Sequence, residues 1–171
     1  IKVSYSSGNI KSKNQKTLNS FTDLEIVNDL DPRFVLPGKV EAEDYLKMFG
    51  LATEETTDDG GGSNIGYTHK GDYSDYKIFT NSSSGYTVDF RVASESDGGK
   101  ISLSLVEESS SREYVILSEL ELPATDGWQN WTTVTANLEN VISKGVFLLR
   151  LKVLEGGFNM NWINFRELDT D

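Results

Sequence analysis

The chain has 171 residues, with 27 acidic against 16 basic side chains, a formal net charge of −11 and a pI near 4.5. A charge of that sign and size repels nucleic acid and anionic membranes and excludes both as electrostatic partners. Cysteine is absent, which excludes a disulfide framework and thiolate chemistry, and no apolar run approaches the ~18 residues that cross a bilayer.

Residues 1–36 are polar and weakly patterned, carry a net charge of +1, and leave −12 to the rest. The change coincides with Leu36-Pro37-Gly38, a turn signal, so 1–36 reads as a linker or the tail of a preceding domain and 37–171 as the main domain. Phe21 to Val27 has apolar content enough to dock locally. Ile1 to Lys16 has no apolar core of the signal-peptide kind, and the chain begins like a fragment or a processed protein.

Val40-Glu41-Ala42-Glu43-Asp44-Tyr45 follows. Two glutamates at i and i+2 of an extended segment share a face and repel unless a cation lies between them. Few basic residues stand nearby, which makes calcium, a ligand of carboxylate oxygens, the first candidate; the plainer reading is a solvated acidic edge strand. Asp58-Asp59-Gly60-Gly61-Gly62-Ser63 lacks the Gly-Lys-Ser/Thr of a phosphate loop and the spacing of an EF-hand. Its glycines permit positive φ, as a cation-facing loop or as a plain surface loop.

Downstream, Tyr86, Val88, Phe90 and Val92 alternate with Thr87, Asp89 and Arg91. Ile101, Leu103 and Leu105 alternate with serines, and Phe147, Leu149, Leu151 and Val153 with Leu148, Arg150 and Lys152. Glycine-rich turns separate these period-two runs, which predicts an all-β antiparallel sandwich or jelly roll.

Side chains able to do chemistry are few. Adjacent carboxylates such as Glu54/Glu55 and Glu107/Glu108 point to opposite strand faces, and Glu41/Glu43 are too close in sequence to straddle a glycosidic bond, which argues against glycosidase catalysis. The single histidine, His69, has no nucleophile beside it and reads as an ordinary surface residue. Sequons at Asn81 and Asn130 are short and frequent by chance. Gly127-Trp128-Gln129-Asn130-Trp131 places Trp128 just after a turn, exposed and suited to stacking on an apolar sugar face, and Trp131 at the start of a strand, as core. Tyr67, next to Gly66, is similarly placed. Two aromatics with an amide from Asn159 or Asn161 make a sugar clamp; the alternative is that they cover the ends of the sandwich.

An ordered set of segments resembles carbohydrate-binding module family 6. It comprises Pro37 to Tyr45, Asp59 to Tyr67, Gly71-Asp72-Tyr73-Ser74-Asp75-Tyr76, Gly85 to Ser94, Thr125 to Trp131 and Phe158-Asn159-Met160-Asn161-Trp162-Ile163. The resemblance implies a β-sandwich jelly roll of two antiparallel sheets without catalytic activity, appended to a secreted polysaccharide-degrading enzyme. It implies a loop-edge cleft in which Tyr67 and Trp128 hold a sugar ring and Asn159 bonds its hydroxyls. It also implies a structural calcium held by Glu41, Glu43 and position 161. Two departures stand out: position 161 is Asn where many relatives have Asp, and Thr68-His69 replaces the pair usual after the tyrosine. Tyr73 lies where some relatives carry a second sugar site.

The expectation is therefore a monomeric, extracellular module that binds a neutral β-glycan, first laminarin-type β-1,3-glucan or mixed-linkage glucan, with agar or xylan as the alternative. A small acidic-residue glycosidase and a purely structural or adhesive domain are the readings from other classes.

Overall fold

The computed structural model describes residues 2–6, 20–25, 34–107 and 111–168. The chain divides into two compact units, Ile1–Pro32 and Arg33–Asp171. In the first, strands β1 (Lys2–Tyr5) and β2 (Phe21–Glu25) pair antiparallel. Val27 lies outside the described residues, so the expected docking segment is seen only as far as Glu25.

The second unit is a sandwich of two six-stranded sheets without a helix among the described residues. One sheet has the order β11 (Glu113–Leu122), β10 (Gly99–Val106), β13 (Gly145–Glu155), β8 (Tyr73–Thr80), β3 (Phe34–Leu36), with β5 (Lys47–Phe49) also on β8. The other has β12 (Gly127–Asn137), β9 (Tyr86–Ser94), β14 (Asn159–Glu167), β7 (Ser63–Gly66), β6 (Ala52–Glu55), with β4 (Gly38–Glu41) also on β14. All pairings are antiparallel except β3 with β8. The predicted all-β jelly-roll architecture is the one observed.

The expected boundary at Leu36-Pro37 falls inside this unit. Phe34, Val35 and Leu36 pair with Ile78, Phe79 and Thr80, and Leu36 is buried, so these three residues are sheet rather than linker. Three apolar residues are too short a run to show a period, which is why they read as tail.

Alternation builds the core. Tyr86, Val88, Phe90 and Val92 of β9 are all fully buried, as are Leu149 and Leu151 of β13. In β10 the serines are buried as well: Ser102 and Ser104 pair with Lys152 and Arg150, whose long side chains leave a small hydroxyl little access to water. Within the second sheet, Tyr86 of β9 meets Phe165 of the neighbouring β14 edge to face at 6.0 Å. The Tyr76 hydroxyl donates to the carbonyl of Ala42 at 2.8 Å, anchoring the Glu41-Ala42-Glu43 segment to the core.

Trp131 is not part of that core. It is half-buried, and its indole N–H donates to Gln129 Oε1 at 3.2 Å. The inward alternation of β12 runs through Thr132, Val134 and Ala136, one position off Trp131, and the register against β9 shifts just before it, between Gly127 and Thr132.

Candidate functional site

Tyr67 and Trp128 line one cleft of about 810 Å³ with Glu54, Gln129, His69 and Asn159. Both aromatics are exposed, Tyr67 by 62% and Trp128 by 44%. Each is presented by a left-handed backbone position: Tyr67 itself has φ of 57°, and Asp126, at the turn before Gly127-Trp128, has 59°. An aromatic residue in that region is strained by about 1–3 kcal/mol, a pattern that concentrates at functional sites. Gly156 forms another wall of the cleft, where an added Cβ would lie 2.0 Å from the carbonyl oxygen of Thr68, so only glycine admits this approach of the two loops. Thr68 fastens them: its hydroxyl donates to the Phe158 carbonyl at 2.9 Å and accepts from the Gly157 and Phe158 amides.

Asn159 is present but nearly enclosed, at 3% exposure. Its Nδ2 donates to Glu54 Oε1 at 2.6 Å and to the Trp128 carbonyl at 2.8 Å. The asparagine therefore positions the other two groups, and the carboxylate it holds is a cleft residue that sequence reasoning missed. Glu54 Oε1 also accepts from Gln129 Nε2 and Asn64 Nδ2, each at 3.3 Å. With Oε1 committed to three amide donors, Oε2 is the oxygen suited to a ligand hydroxyl. The available signal was Glu54 in an alternating stretch, Ala52 to Glu55, but a solvent-face glutamate carries that same pattern. His69, read as an ordinary surface residue, is exposed and lies on the cleft rim, with its backbone N–H donating to Asp72 Oδ2 at 2.8 Å.

The family model for carbohydrate binding module (family 6) matches residues 41–167. The chain belongs to this family. Clotting factor G alpha subunit of Tachypleus tridentatus is 35% identical over 130 residues, which is 75% of this chain and 18% of that protein. The chain thus spans under a fifth of the curated relatives it matches. The C-terminal family 6 module of LamC, a marine laminarinase from Zobellia galactanivorans, is 39% identical with a TM-score of 0.64, covering 74% of this chain and 96% of the other. A β-1,3-glucan-binding family 6 module from Bacillus halodurans is 33% identical with a TM-score of 0.69, covering 79% and 99%. This is a family of noncatalytic carbohydrate-binding modules.

The acidic corner of the module differs from its expected form. Strand β4 ends at Glu41, and Ala42-Glu43 form a turn in which the Asp44 N–H donates to the Glu41 carbonyl. The two glutamates are not neighbours on one strand face. Nor is a basic group missing: Lys39 Nζ lies 2.6 Å from Glu41 Oε1, two residues back on β4. Glu43 Oε1 accepts from the Ser63 amide at 3.3 Å, while its Oε2 is buried with no partner. Burial raises the Glu43 pKa above the usual carboxylate value, and the charges of Glu41 and Asp44 add to the rise.

Asn161 is buried at a register shift in β14, between Met160 and Trp162, and its carbonyl accepts from the Ala42 amide at 2.9 Å. Its Nδ2 donates to Asp58 Oδ2 at 2.8 Å, which leaves Oδ1 as the amide's acceptor. Asp58 is itself paired two-pronged with Arg91, at 2.9 and 2.6 Å, and that guanidinium holds its pKa down to about 2. The Asp58 loop, read from sequence as open between two roles, is thereby tied to the last strand. The orphaned, buried Glu43 oxygen is the one donor of this corner suited to a cation, since Glu41 is engaged by Lys39 and the Asn161 amide by Asp58. Among the described residues no three acidic or imidazole groups converge.

Proposed function

We propose that this module binds a neutral β-glycan in the Tyr67–Trp128 cleft and holds an attached, secreted glycoside hydrolase on its substrate, with no catalysis of its own. The observation that carries this reading is two exposed aromatic faces from separate loops flanking one held carboxylate. A sugar ring lies between the faces, burying its C–H surface against them. Its hydroxyls donate to Oε2 of the Glu54 carboxylate, whose Oε1 accepts from the amide of Asn159. Stacking needs no charge on the sugar, and the −11 chain repels sulfated or uronic polymers. Laminarin-type β-1,3-glucan is the first ligand, since two similar modules are described as belonging to a laminarinase and as binding β-1,3-glucan. Mixed-linkage glucan follows, and agar or xylan is the alternative.

A calcium ion at Glu41, Glu43 and Asn161 is the second part of the reading. It neutralises the orphaned Glu43 oxygen and ties the β4 turn to β14, a structural task remote from the sugar. Affinity electrophoresis in laminarin, mixed-linkage glucan, xylan and agar, beside a reducing-sugar assay on the pure protein, tests the function. Retardation in laminarin without new reducing ends supports it. Migration unchanged in all four gels, or steady release of reducing sugar, overturns it.

A second surface has a specific observation in its favour. Phe49, 61% exposed, stacks on Tyr73 at 6.0 Å, and the Arg150 guanidinium lies 4.2 Å from the Tyr73 ring centre. This exposed apolar plate on the β5–β8 face is suited to an extended chain lying along the sheet.

A further inference from the structure

Gln129 stands between the cleft and a shallower groove of about 630 Å³ formed by Asp58, Arg91, Trp131 and neighbours, and it lines both. Its carboxamide is fully engaged. On the oxygen side, Oε1 accepts from the Thr57 amide at 2.8 Å and from Trp131 Nε1 at 3.2 Å. Neither group can accept a hydrogen bond, which settles which end of the amide is oxygen. On the nitrogen side, Nε2 donates to Glu54 Oε1 at 3.3 Å and Asn64 Oδ1 at 3.2 Å. Asn64 is fully buried and in turn donates to Glu54 Oε1. Gln129 therefore joins the irregular start of β12, which carries Trp128, to the β6 carboxylate, the loop after it and Asn64 of β7, all 65 to 75 residues earlier in the chain.

We propose that Gln129 is a positioning residue for ligand binding: it holds the Glu54 carboxylate toward the cleft and registers it against Trp128. This rests on the sugar-cleft reading above. A glutamate has three side-chain torsions, and Gln129 adds to Asn159 and Asn64 the third donor that restricts them, from the side that carries Trp128. A clamp on Oε1 fixes where Oε2 lies before any ligand arrives, which raises affinity by preorganisation. Gln129 does this indirectly, through Glu54.

Gln129→Glu separates this role from a merely structural one. The variant keeps an acceptor for Thr57 and Trp131 but replaces the donor facing Glu54 with a second carboxylate. Two carboxylates at this distance share a proton with one raised pKa. Above that pKa they repel and Glu54 is displaced; below it, one O–H restores the donor. The charged groups around them are Glu55, His69 and Lys70 on the cleft side and Asp58, Asp59 and Arg91 on the other. Their contribution is removed by running the parent protein alongside.

By calorimetry with laminarihexaose, the variant is expected to bind about tenfold more weakly than the parent at pH 8 and to recover most of the loss by pH 5. Gln129→Met, which fills similar space without any of the carboxamide's hydrogen bonds, is expected to be weaker at every pH with no recovery. Parent-like affinity of both variants at pH 8, or a loss in Gln129→Glu that acidification does not reverse, overturns the proposal. If the parent binds no laminarihexaose, the ligand assignment fails, and a carboxyl carbon-13 titration of Glu54 in the unliganded protein then decides the positioning role. A raised, two-step titration in Gln129→Glu supports it, and a curve identical to the parent's overturns it.

Discussion

Glu54 and Glu43 are both glutamates held near β14, and their environments are opposite. Glu54 keeps one oxygen under three amide donors and stands half-open on a cleft between two exposed aromatics. Glu43 turns one oxygen to a backbone amide and buries the other without a partner. The asparagines that accompany them, Asn159 and Asn161, are two positions apart on β14, and each gives its N–H to a different carboxylate, Glu54 and Asp58. A carboxylate satisfied from within and open outward is suited to a neutral hydroxyl ligand. A carboxylate with a buried orphan oxygen is suited to a cation. In the proposed reading the same pair of residue types serves recognition at one end of a strand and stabilisation two residues on.

The largest expected effect tests the buried end. If calcium occupies the Glu43 corner at about 100 times its dissociation constant, chelation removes about 3 kcal/mol and lowers Tm by on the order of 10 °C, without changing which glycan is preferred. Glu43→Gln abolishes the response to chelator. A melting curve that chelator leaves unmoved removes the cation from the comparison.

Next comes the open end. Trp128→Ala deletes an exposed stacking face and is expected to weaken glycan binding by about 2 kcal/mol or more, roughly 30-fold, while Tm stays within a degree or so. A variant still retarded like the parent in every gel would rule out the aromatic clamp. Glu54→Gln sharpens the same end. The amide can still accept from Asn159 but presents a donor where the ligand met an acceptor, and calorimetry should show about a tenfold loss.

The smallest effect concerns the tie between the two ends. Asp58 titrates at about 2 in the folded state, below its ordinary value of 3.8, because Arg91 holds the charged form. A depressed acid of this kind contributes stability that is complete above the unfolded value and is lost as pH falls from about 4 toward 2. The contribution is on the order of 1 kcal/mol. Arg91→Met is expected to flatten the acid limb of a Tm-against-pH curve over that window. The raised Glu43 has the opposite sign, so in the absence of a cation it adds stability as pH falls through its folded value. An acid limb that Arg91→Met leaves as steep as before shows that Asp58 is not the group lost there.

Alternation in β9 and β13 and the glycine-rich turns between strands made the sandwich legible from residues alone, because a strand with one face buried must repeat every two positions. Trp128 and Tyr67 were legible as exposed aromatics beside turn glycines. What the tertiary structure decided are the polar partnerships: Asn159 with Glu54 across 105 residues, Gln129 with Glu54 across 75, Asn161 with Asp58 across 103. It also placed Phe34–Leu36 in a sheet, set Lys39 on Glu41 and left Glu43 in a turn with an orphan oxygen. The physical reason is that burial of apolar side chains is periodic along a chain and therefore local in the sequence. A hydrogen bond between side chains depends only on proximity in space, and in this fold the irregular starts and ends of strands distant in sequence provide it.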